Sequence, residues 1–435
     1  MTELPESVAE RVYLSDTALQ DSTVDLSRLA LPPIVRPTAR LSVLDITEFY
    51  GDTTGGIRTY LRQKSVYVEA RPDLRQVVVL PSPRDHVAQS DGVRSYRLQG
   101  PKVPKQAPYR FMLATRSNRR IMCHERPDVV EIGSPGFVPW IAKLATRGLD
   151  IPLVAFWHSN FPRVLAPFPE RADAFRRALW DLGWRYARQI DQQVAMSIVC
   201  SRFVADDLRA AGIDRVAHIP LGVDLHHFHP SRRARREVVR ARLGLPDGPV
   251  AGFVGRFAQE KEIDLAIRAW PEVYRRTGAI LALIGAGPMQ AQLEALADGA
   301  EWVRFLPYQS NREQLADLLA ALDLFVAPSS NETFGLAPLE AQASGTAVIA
   351  ANRGGIGEQV EAGGAGWIFE AGSVASFQEV AIRLLQSDLA SLGAKGRAYA
   401  EADHSWDTVF DRIFAVYEQV KRDHQEERRD GRWVR

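Results

Sequence analysis

The sequence holds two cysteines, Cys123 and Cys200, in 435 residues. Two thiols supply neither a disulfide framework nor a metal cluster for a chain this long, and they read as thiols of a reducing compartment, with the cytoplasm as the expected location. Long apolar runs are also missing. The most apolar stretches, 279–286 and 318–327, are too short to span a bilayer, and the second contains Asp323. The first residues, MTELPESVAER, carry acids where a signal peptide has a basic patch, and no apolar run follows, so no signal peptide is expected. Charge of one sign is not in excess: 54 Lys and Arg face 53 Asp and Glu, a net +1, so no global field recruits nucleic acid and none is expected as a partner. Any contact with a membrane or polyanion must be local. No Asp-x-Asp triplet occurs, and the one histidine cluster, His226, His227 and His229, has no cysteine or carboxylate pattern beside it, so no metal site is expected. What is present is ordinary globular composition, 46% hydrophobic and 25% charged, which excludes disorder, collagen and coiled coil for the bulk of the chain. The length points to two or three domains.

Residues 1–38 lack sustained periodicity and end in the proline-rich LPPIVRPT, so they read as an N-terminal extension. Beyond them strands alternate with helical patterns. LSVLDI at 41–46 reads as a buried strand, and the helix after it puts Ile57, Leu61 and Val68 on one stripe. Further strands are expected near 77–80, 128–132, 152–157, 193–198 and 215–219, and helices near 109–123, 136–146, 170–190 and 202–211. Such alternation means a parallel sheet covered on both faces. The arginine-rich, proline-containing stretch 223–248 reads as a linker between this first domain, 39–222, and a second, 249–404. The second series begins with PVAGFVG and continues with strands near 279–284, 302–306, 323–327 and 346–350. Residues 405–422 form one more amphipathic helix, and 423–435 a charged tail. The expected fold class is therefore α/β, with two Rossmann-like doubly wound parallel-sheet domains facing across a cleft, the place where open α/β sheets bind ligands.

Four constellations carry chemistry. Gly255-Arg256-Phe257-Ala258-Gln259-Glu260-Lys261 follows the first strand of the second domain and opens a helix. An arginine fork and a lysine point charge at a strand-to-helix turn suit a diphosphate; the plainer reading is a solvated arginine and a helix-face lysine. Asn331-Glu332-Thr333-Phe334-Gly335-Leu336-Ala337-Pro338-Leu339-Glu340 enters another helix. Glu340 has apolar neighbours there, and a carboxylate so placed needs partners such as the vicinal hydroxyls of a sugar. Between the acids, the amides of Phe334, Gly335 and Leu336 can face a phosphate, because glycine lets the backbone approach closely. Taken singly, either glutamate reads as a cap or a surface acid. His158 ends the apolar strand VAFWHSN, where it can hydrogen-bond a hydroxyl or share a developing charge. Thr54-Gly55-Gly56-Ile57 supplies paired glycines in the first βα loop, either lining the cleft with amides or only turning tightly into the helix.

These pieces, in this order, resemble the family 4 glycosyltransferases of the GT-B fold over residues 41–420, most densely in the second domain. The segment GRFAQEKEIDLAIRA is similar to the family's Gly-Arg…Lys segment, with Glu262 standing where glycine is common. The resemblance implies a retaining hexosyltransferase that uses a nucleotide-sugar donor, such as a UDP or GDP sugar, as co-substrate, with no tightly bound cofactor and no metal. It implies that Arg256 and Lys261 hold the donor diphosphate and that Glu340 takes the ribose hydroxyls. Glu332 would face the donor hexose, and Thr333, Phe334, Gly335 and Leu336 would contact phosphate and sugar. Gly255 and Gly56 match glycine positions around the donor, the 307–309 segment matches the strip beside the base, and His158 matches the histidine that contacts the hexose. Arg256, Lys261, His158 and Glu332 are thus the expected catalytic residues. The final helix, 405–422, often crosses back to the first domain in this fold. Retention by double displacement needs a carboxylate close under the anomeric carbon, and none is obvious. A front-face route, in which the leaving phosphate helps to deprotonate the acceptor, is therefore preferred, with Arg256 and Lys261 stabilising the charge that develops on the diphosphate.

Two other classes compete. Gly285 and Gly287 follow a strand as in a dinucleotide fold, but Gln290 stands where the third glycine of the oxidoreductase fingerprint belongs. A non-catalytic binding module of the same fold is the second. For the acceptor, residues 163–188 carry six arginines against three acids, with Ala172, Phe175, Leu179, Leu182 and Tyr186 as the expected core stripe and Arg177, Trp180, Trp184 and Arg188 as a second one. Arginine interleaved with tryptophan suits an anionic membrane surface and a lipid or lipid-linked acceptor, with peripheral membrane attachment. A soluble sugar acceptor, with tryptophan packed between helices, is the alternative.

Overall fold

The computed structural model describes residues 31–51, 55–104, 109–166 and 173–430. Thr54, Arg171 and Ala172, most of the expected N-terminal extension and the end of the charged tail lie outside them. The chain divides into two compact units. Unit 1 takes the residues up to Val199, then Asp207–Ile219, then those from Phe410 onward; unit 2 takes Cys200–Asp206 and Pro220–Val409.

Unit 1 is built on an eight-stranded sheet: β1 (Leu41–Ile46), β2 (Leu74–Ser82), β3 (His86–Ser90), β4 (Val93–Gln99), β5 (Val129–Ile132), β6 (Leu153–Trp157), β7 (Met196–Val199) and β8 (Val216–His218), in the order β3-β4-β2-β1-β5-β6-β7-β8. All pairs are parallel except β3 with β4. Every residue of β1 and β2 is buried, Asp45, Arg75 and Gln76 included, as strands inside a sheet covered on both faces are. The β3–β4 hairpin has no counterpart among the expected strands, because HVAQS and VRSYRLQ look polar. Most polar side chains of β4 are buried, with Arg94 and Tyr96 held by a carboxylate far along the chain. The Glu125 carboxylate accepts from Arg94 at 2.7 Å, Arg75 at 2.8 Å and Tyr96 at 2.5 Å.

A second buried ion cluster ties the last helix, Trp406–Arg429, into unit 1 from Phe410 onward. Lys64, fully buried on the helix Gly56–Glu69, donates to Asp45 at 2.5 Å and to the Tyr417 hydroxyl at 2.7 Å, and lies 3.4 Å from Glu131. Tyr60 and Tyr417 both donate to the same Glu131 oxygen. Burial pushes Glu131 up to about 7 against the pull of the lysine.

Unit 2 carries a six-stranded, wholly parallel sheet: β9 (Val250–Val254), β10 (Ile280–Ile284), β11 (Val303–Leu306), β12 (Leu324–Ala327), β13 (Ala347–Ala351) and β14 (Gly366–Phe369), in the order β11-β10-β9-β12-β13-β14. The order in which the chain lays down strands reverses between β9 and β12, the doubly wound arrangement of a dinucleotide-type fold. The helix Ile263–Thr277 buries Ile263, Ala266, Ile267, Trp270 and Val273 against this sheet. Trp270 is fully buried and its indole N–H donates to the Ala279 carbonyl at 2.8 Å.

Two expectations change. The stretch 223–248 contains a 3-10 helix, Pro230–Arg235, and an α-helix, Arg236–Leu243, that pack within unit 2. Arg240 is 1% exposed there, donating to Asp323 and the Gly248 carbonyl at 2.7 Å each and to the Ala321 carbonyl at 2.9 Å; Arg232 pairs with Asp317 at 2.7 Å. Arginine density that resembles a solvated linker is satisfied by acids and carbonyls elsewhere in the unit. The second change is the facing of the helix Ala174–Asp191. It buries Gly183, Trp184, Ala187 and Ile190, while Phe175 and Leu182, expected in the core, are 72% and 57% exposed.

Candidate active site

Where strand order reverses in an open α/β sheet, the loops leaving the carboxyl ends splay apart and leave a crevice. In unit 2 those loops follow β9 and β12, and they carry Gly255 to Glu262 and Ser329 to Leu336. The first loop is pinned by the one leaving β10. The Gly255 and Phe257 amides donate to Ile284 and Ala286 at 3.0 Å each. A Cβ on Gly285 would come within 1.9 Å of the Gly255 carbonyl, and one on Gly287 within 2.3 Å of that of Phe257. The Gly-x-Gly pair therefore serves close packing of two loops, which accounts for its likeness to a dinucleotide motif.

Between these fixed points Arg256 is exposed, and Lys261 ends a short 3-10 turn, Gln259–Lys261. Lys261 forms an ion pair with Glu332 of the second loop. Burial opposes the ammonium charge, but the Glu332 carboxylate outweighs it and holds Lys261 above its ordinary value, so it stays cationic. Gly335, in the left-handed conformation at φ 88°, turns the chain into the helix Leu336–Ala343, and a Cβ there would sit 2.7 Å from Ile356. The first amides of a helix have no partner within it, and no side chain caps this one, so the Leu336 end suits an anion. One turn on, burial pushes Glu340 up to about 7; Arg312 pulls it down and Asp224 pushes it up. Arg312 lies 3.4 Å from Asp224. Unit 2 thus gathers Lys261, Glu332, Thr333, Phe334 and Gly335 on the loops beside the strand-order reversal and Leu336 and Glu340 on the helix that follows, with Phe334 itself buried. Arg312, Ser329 and Ser330 also belong there, and no spacing in the sequence marks them.

His158 and Gly56 belong to unit 1. His158 follows β6, stacks on Phe156 at 4.1 Å and meets the Tyr60 ring edge-on at 4.9 Å. Burial, with the Lys64 charge adding to it, lowers His158 to about 3. At neutral pH it is an uncharged imidazole that exchanges hydrogen bonds and carries no charge. Gly56 is the exposed first residue of its helix. On the helix Ala174–Asp191, Arg177 and Arg188 are exposed and Trp180 is half-buried, but Trp184 is 7% exposed, which removes it from any surface. Among the described residues no group of His, Cys, Asp or Glu is arranged to hold a metal ion, and no helix is long and apolar enough to cross a membrane.

The family model for glycosyl transferases group 1 matches residues 235–402, and that for glycosyltransferase family 4 matches residues 54–227. A GDP-mannose-dependent alpha-mannosyltransferase of Mycobacterium tuberculosis is 30% identical over 76% of this chain and 83% of its own length. The chain is a family 4 glycosyltransferase. A second relative of this glycosyltransferase, the GDP-mannose-dependent alpha-(1-6)-phosphatidylinositol dimannoside mannosyltransferase of M. tuberculosis, is 28% identical over 74% of this chain and 82% of its own. Among solved structures, a sucrose-phosphate synthase from Thermosynechococcus elongatus superposes with a TM-score of 0.71 at 21% identity, covering 88% of this chain and 99% of that one. The two parallel-sheet units have the GT-B fold, and the protein is a nucleotide-sugar-dependent glycosyltransferase. The oxidoreductase reading falls with that membership.

Proposed function

We propose that this glycosyltransferase moves a hexose, with retention at the anomeric carbon, from a nucleoside-diphosphate sugar to an acceptor hydroxyl. The observation that carries the reading is the placement of Lys261, Glu332 and the Gly335 turn on adjoining loops, with Glu340 on the helix that the second loop enters, at the strand-order reversal of unit 2. Arg256 and Lys261 hold the donor diphosphate and stabilise the charge that grows on it as the glycosidic bond breaks. Gly255 gives the loop its turn, and the Phe334, Gly335 and Leu336 amides take phosphate oxygens beside Thr333. Glu340 accepts from the ribose hydroxyls, and Glu332 orients the hexose. Glu332 is engaged by Lys261, which leaves it poorly suited as a nucleophile and supports the front-face route over double displacement. In unit 1, His158 is a neutral imidazole and Gly56 an exposed helix start; the family resemblance assigns the first to the hexose and the second to a glycine-rich loop. GDP-mannose is the first donor to try, because both mycobacterial relatives are named for it.

A lipid-linked acceptor is supported by an apolar face on unit 1, different from the one the tryptophans suggest. Val164 and Leu165 on the helix Phe161–Leu165 are 73% and 44% exposed, next to exposed Phe175 and Leu182 on Ala174–Asp191. The two helices pack through Gly183, where a Cβ would meet Pro162 at 3.2 Å. Exposed Arg176, Arg177 and Arg185 share the long helix. Apolar side chains bordered by arginine suit insertion beside anionic headgroups and peripheral attachment at the cytoplasmic face.

The test is transfer from a panel of nucleotide hexoses to lipid and soluble acceptors, with the product's anomeric configuration read by NMR. Retained configuration supports the reading; inversion overturns the mechanism, and absence of turnover with every donor overturns the function. Flotation with phosphatidylglycerol vesicles should fall at least tenfold in Phe175→Asp/Leu182→Asp. Equal flotation of wild type and variant removes the membrane face and leaves the soluble acceptor.

A further inference from the structure

Glu262 adopts φ 51° and ψ 34°, the left-handed conformation. A residue with a Cβ disfavours that conformation and glycine does not. A half-buried glutamate held in that conformation needs a compensating interaction. The structure supplies one. The Glu262 carboxylate accepts from the Ser330 amide at 2.7 Å and from the Ser330 hydroxyl at 2.6 Å. Ser330 is fully buried and Glu262 half-buried, so both bonds are shielded from water on the serine side. Beside them the Ser329 hydroxyl donates to the Glu260 carbonyl at 2.6 Å, and Lys261 pairs with Glu332. Three consecutive residues of one loop thus each grip the segment that leaves β12, and only the Lys261 contact joins groups that a donor would use.

We infer that Glu262 is a positioning residue, a latch that trades backbone strain for a fixed spacing between the loop of Arg256 and Lys261 and the loop of Glu332 to Leu336. Its action is on the phosphate-binding geometry, through Ser330, and it touches neither phosphate nor sugar. The inference rests on the donor-site reading above. A rigid pair of loops holds cations and helix amides at one separation, which lowers the ordering that donor binding otherwise requires. Glycine at 262 frees the backbone but cuts both bonds to Ser330. Glutamine keeps an oxygen that accepts from Ser330.

The latch is tested on the full chain with Glu262→Gly, Glu262→Gln and Ser330→Ala, using three measurements: hydrogen exchange over residues 329–336, thermal midpoint, and titration with UDP, GDP and ADP. Glu262→Gly should raise exchange at the Ser330 amide at least tenfold and weaken binding of the preferred diphosphate about tenfold, 1.4 kcal/mol, with a midpoint equal to or above that of wild type. Glu262→Gln should stay within about threefold of wild type in affinity. Ser330→Ala removes the hydroxyl half of the latch from the other side, so it should lose affinity in the same direction, and the double variant should lose less than the sum. A lower midpoint with unchanged affinity would mean a merely structural residue and overturn the inference, as would unchanged exchange at Ser330. Wild type that binds none of the three diphosphates, while exchange at Ser330 responds as stated, overturns the donor-site reading and keeps the latch as a loop tether only.

Discussion

Replacing Glu340 by glutamine should stabilise the protein at pH 8 and leave it nearly unchanged at pH 5. Glu340 lies on the helix Leu336–Ala343, and burial lifts its carboxyl from 4.5 to about 7. An acid whose folded value is raised binds more protons in the native state than in the unfolded one between those values. Its contribution to stability is present below pH 4.5 and is lost as pH rises through 7. A shift from 4.5 to about 7 corresponds, at about 1.4 kcal/mol for each tenfold, to a ceiling of about 3 kcal/mol. That value already includes the pull of Arg312, but solvent reaches part of the side chain, so about 1–2 kcal/mol is the working figure. For a unit of this size that is roughly 5 °C in thermal midpoint. Calorimetry of wild type and Glu340→Gln at pH 5 and pH 8 reads it, with the transition assigned to unit 2 by the response to added nucleotide. Because the amide does not accept bidentately from a diol, the same variant should bind nucleoside diphosphate more weakly at pH 8, and the difference should shrink at pH 5, where Glu340 itself is protonated. Equal stabilisation at the two pH values, or none at pH 8, would refute the claim that a buried carboxylate is held there against desolvation.

Lys64→Met should destabilise unit 1 by about 3–5 kcal/mol, because it strands Asp45 and Glu131 without a countercharge; urea unfolding at pH 7.5 measures it, and a loss under about 1 kcal/mol would contradict the cluster's role. His158→Asn should lower kcat about tenfold or more yet leave the pH profile of kcat unchanged above pH 5, since His158 titrates at about 3. Loss of an ionisation near neutrality in that variant would be the contrary result. Gly335→Ala puts a Cβ into a left-handed position already crowded by Ile356, which should cost about 1–3 kcal/mol of stability and weaken donor binding together.

Much of the architecture could be read in the chain because the buried strands are apolar runs separated by helical periods. LSVLDI, PVAGFVG and DLFVAP needed no partner information. Hidden from that reading was structure whose polar atoms are paired at long range. The β3–β4 hairpin buries Arg94, answered by Glu125 some thirty positions away. The Arg236–Leu243 helix buries Arg240, answered by Asp323. Composition sees only arginine in both cases and reads solvent. The helix Ala174–Asp191 offered two plausible stripes, and periodicity alone does not decide which one faces inward; the choice fell to Gly183, which lets Pro162 approach, so that Trp184 is covered and Phe175 is not. At the candidate site, the glycine, lysine and glutamate positions were legible because their residue types are chemically distinctive at strand-to-helix turns. Ser329, Ser330 and Arg312 were not, because serine and arginine at loop ends are common and only tertiary structure shows what they hold.

The two loops of unit 2 are proposed to hold a nucleoside diphosphate through Lys261. Isothermal titration of wild type and Lys261→Ala with UDP, GDP and ADP, their hexose conjugates, NAD and NADP tests it most directly. Wild type should bind one nucleoside diphosphate and its sugar conjugate with measurable affinity, Lys261→Ala should lose at least tenfold, about 1.4 kcal/mol, and neither nicotinamide cofactor should give a response. Binding that is equal in wild type and variant, or binding of a nicotinamide cofactor alone, would contradict it.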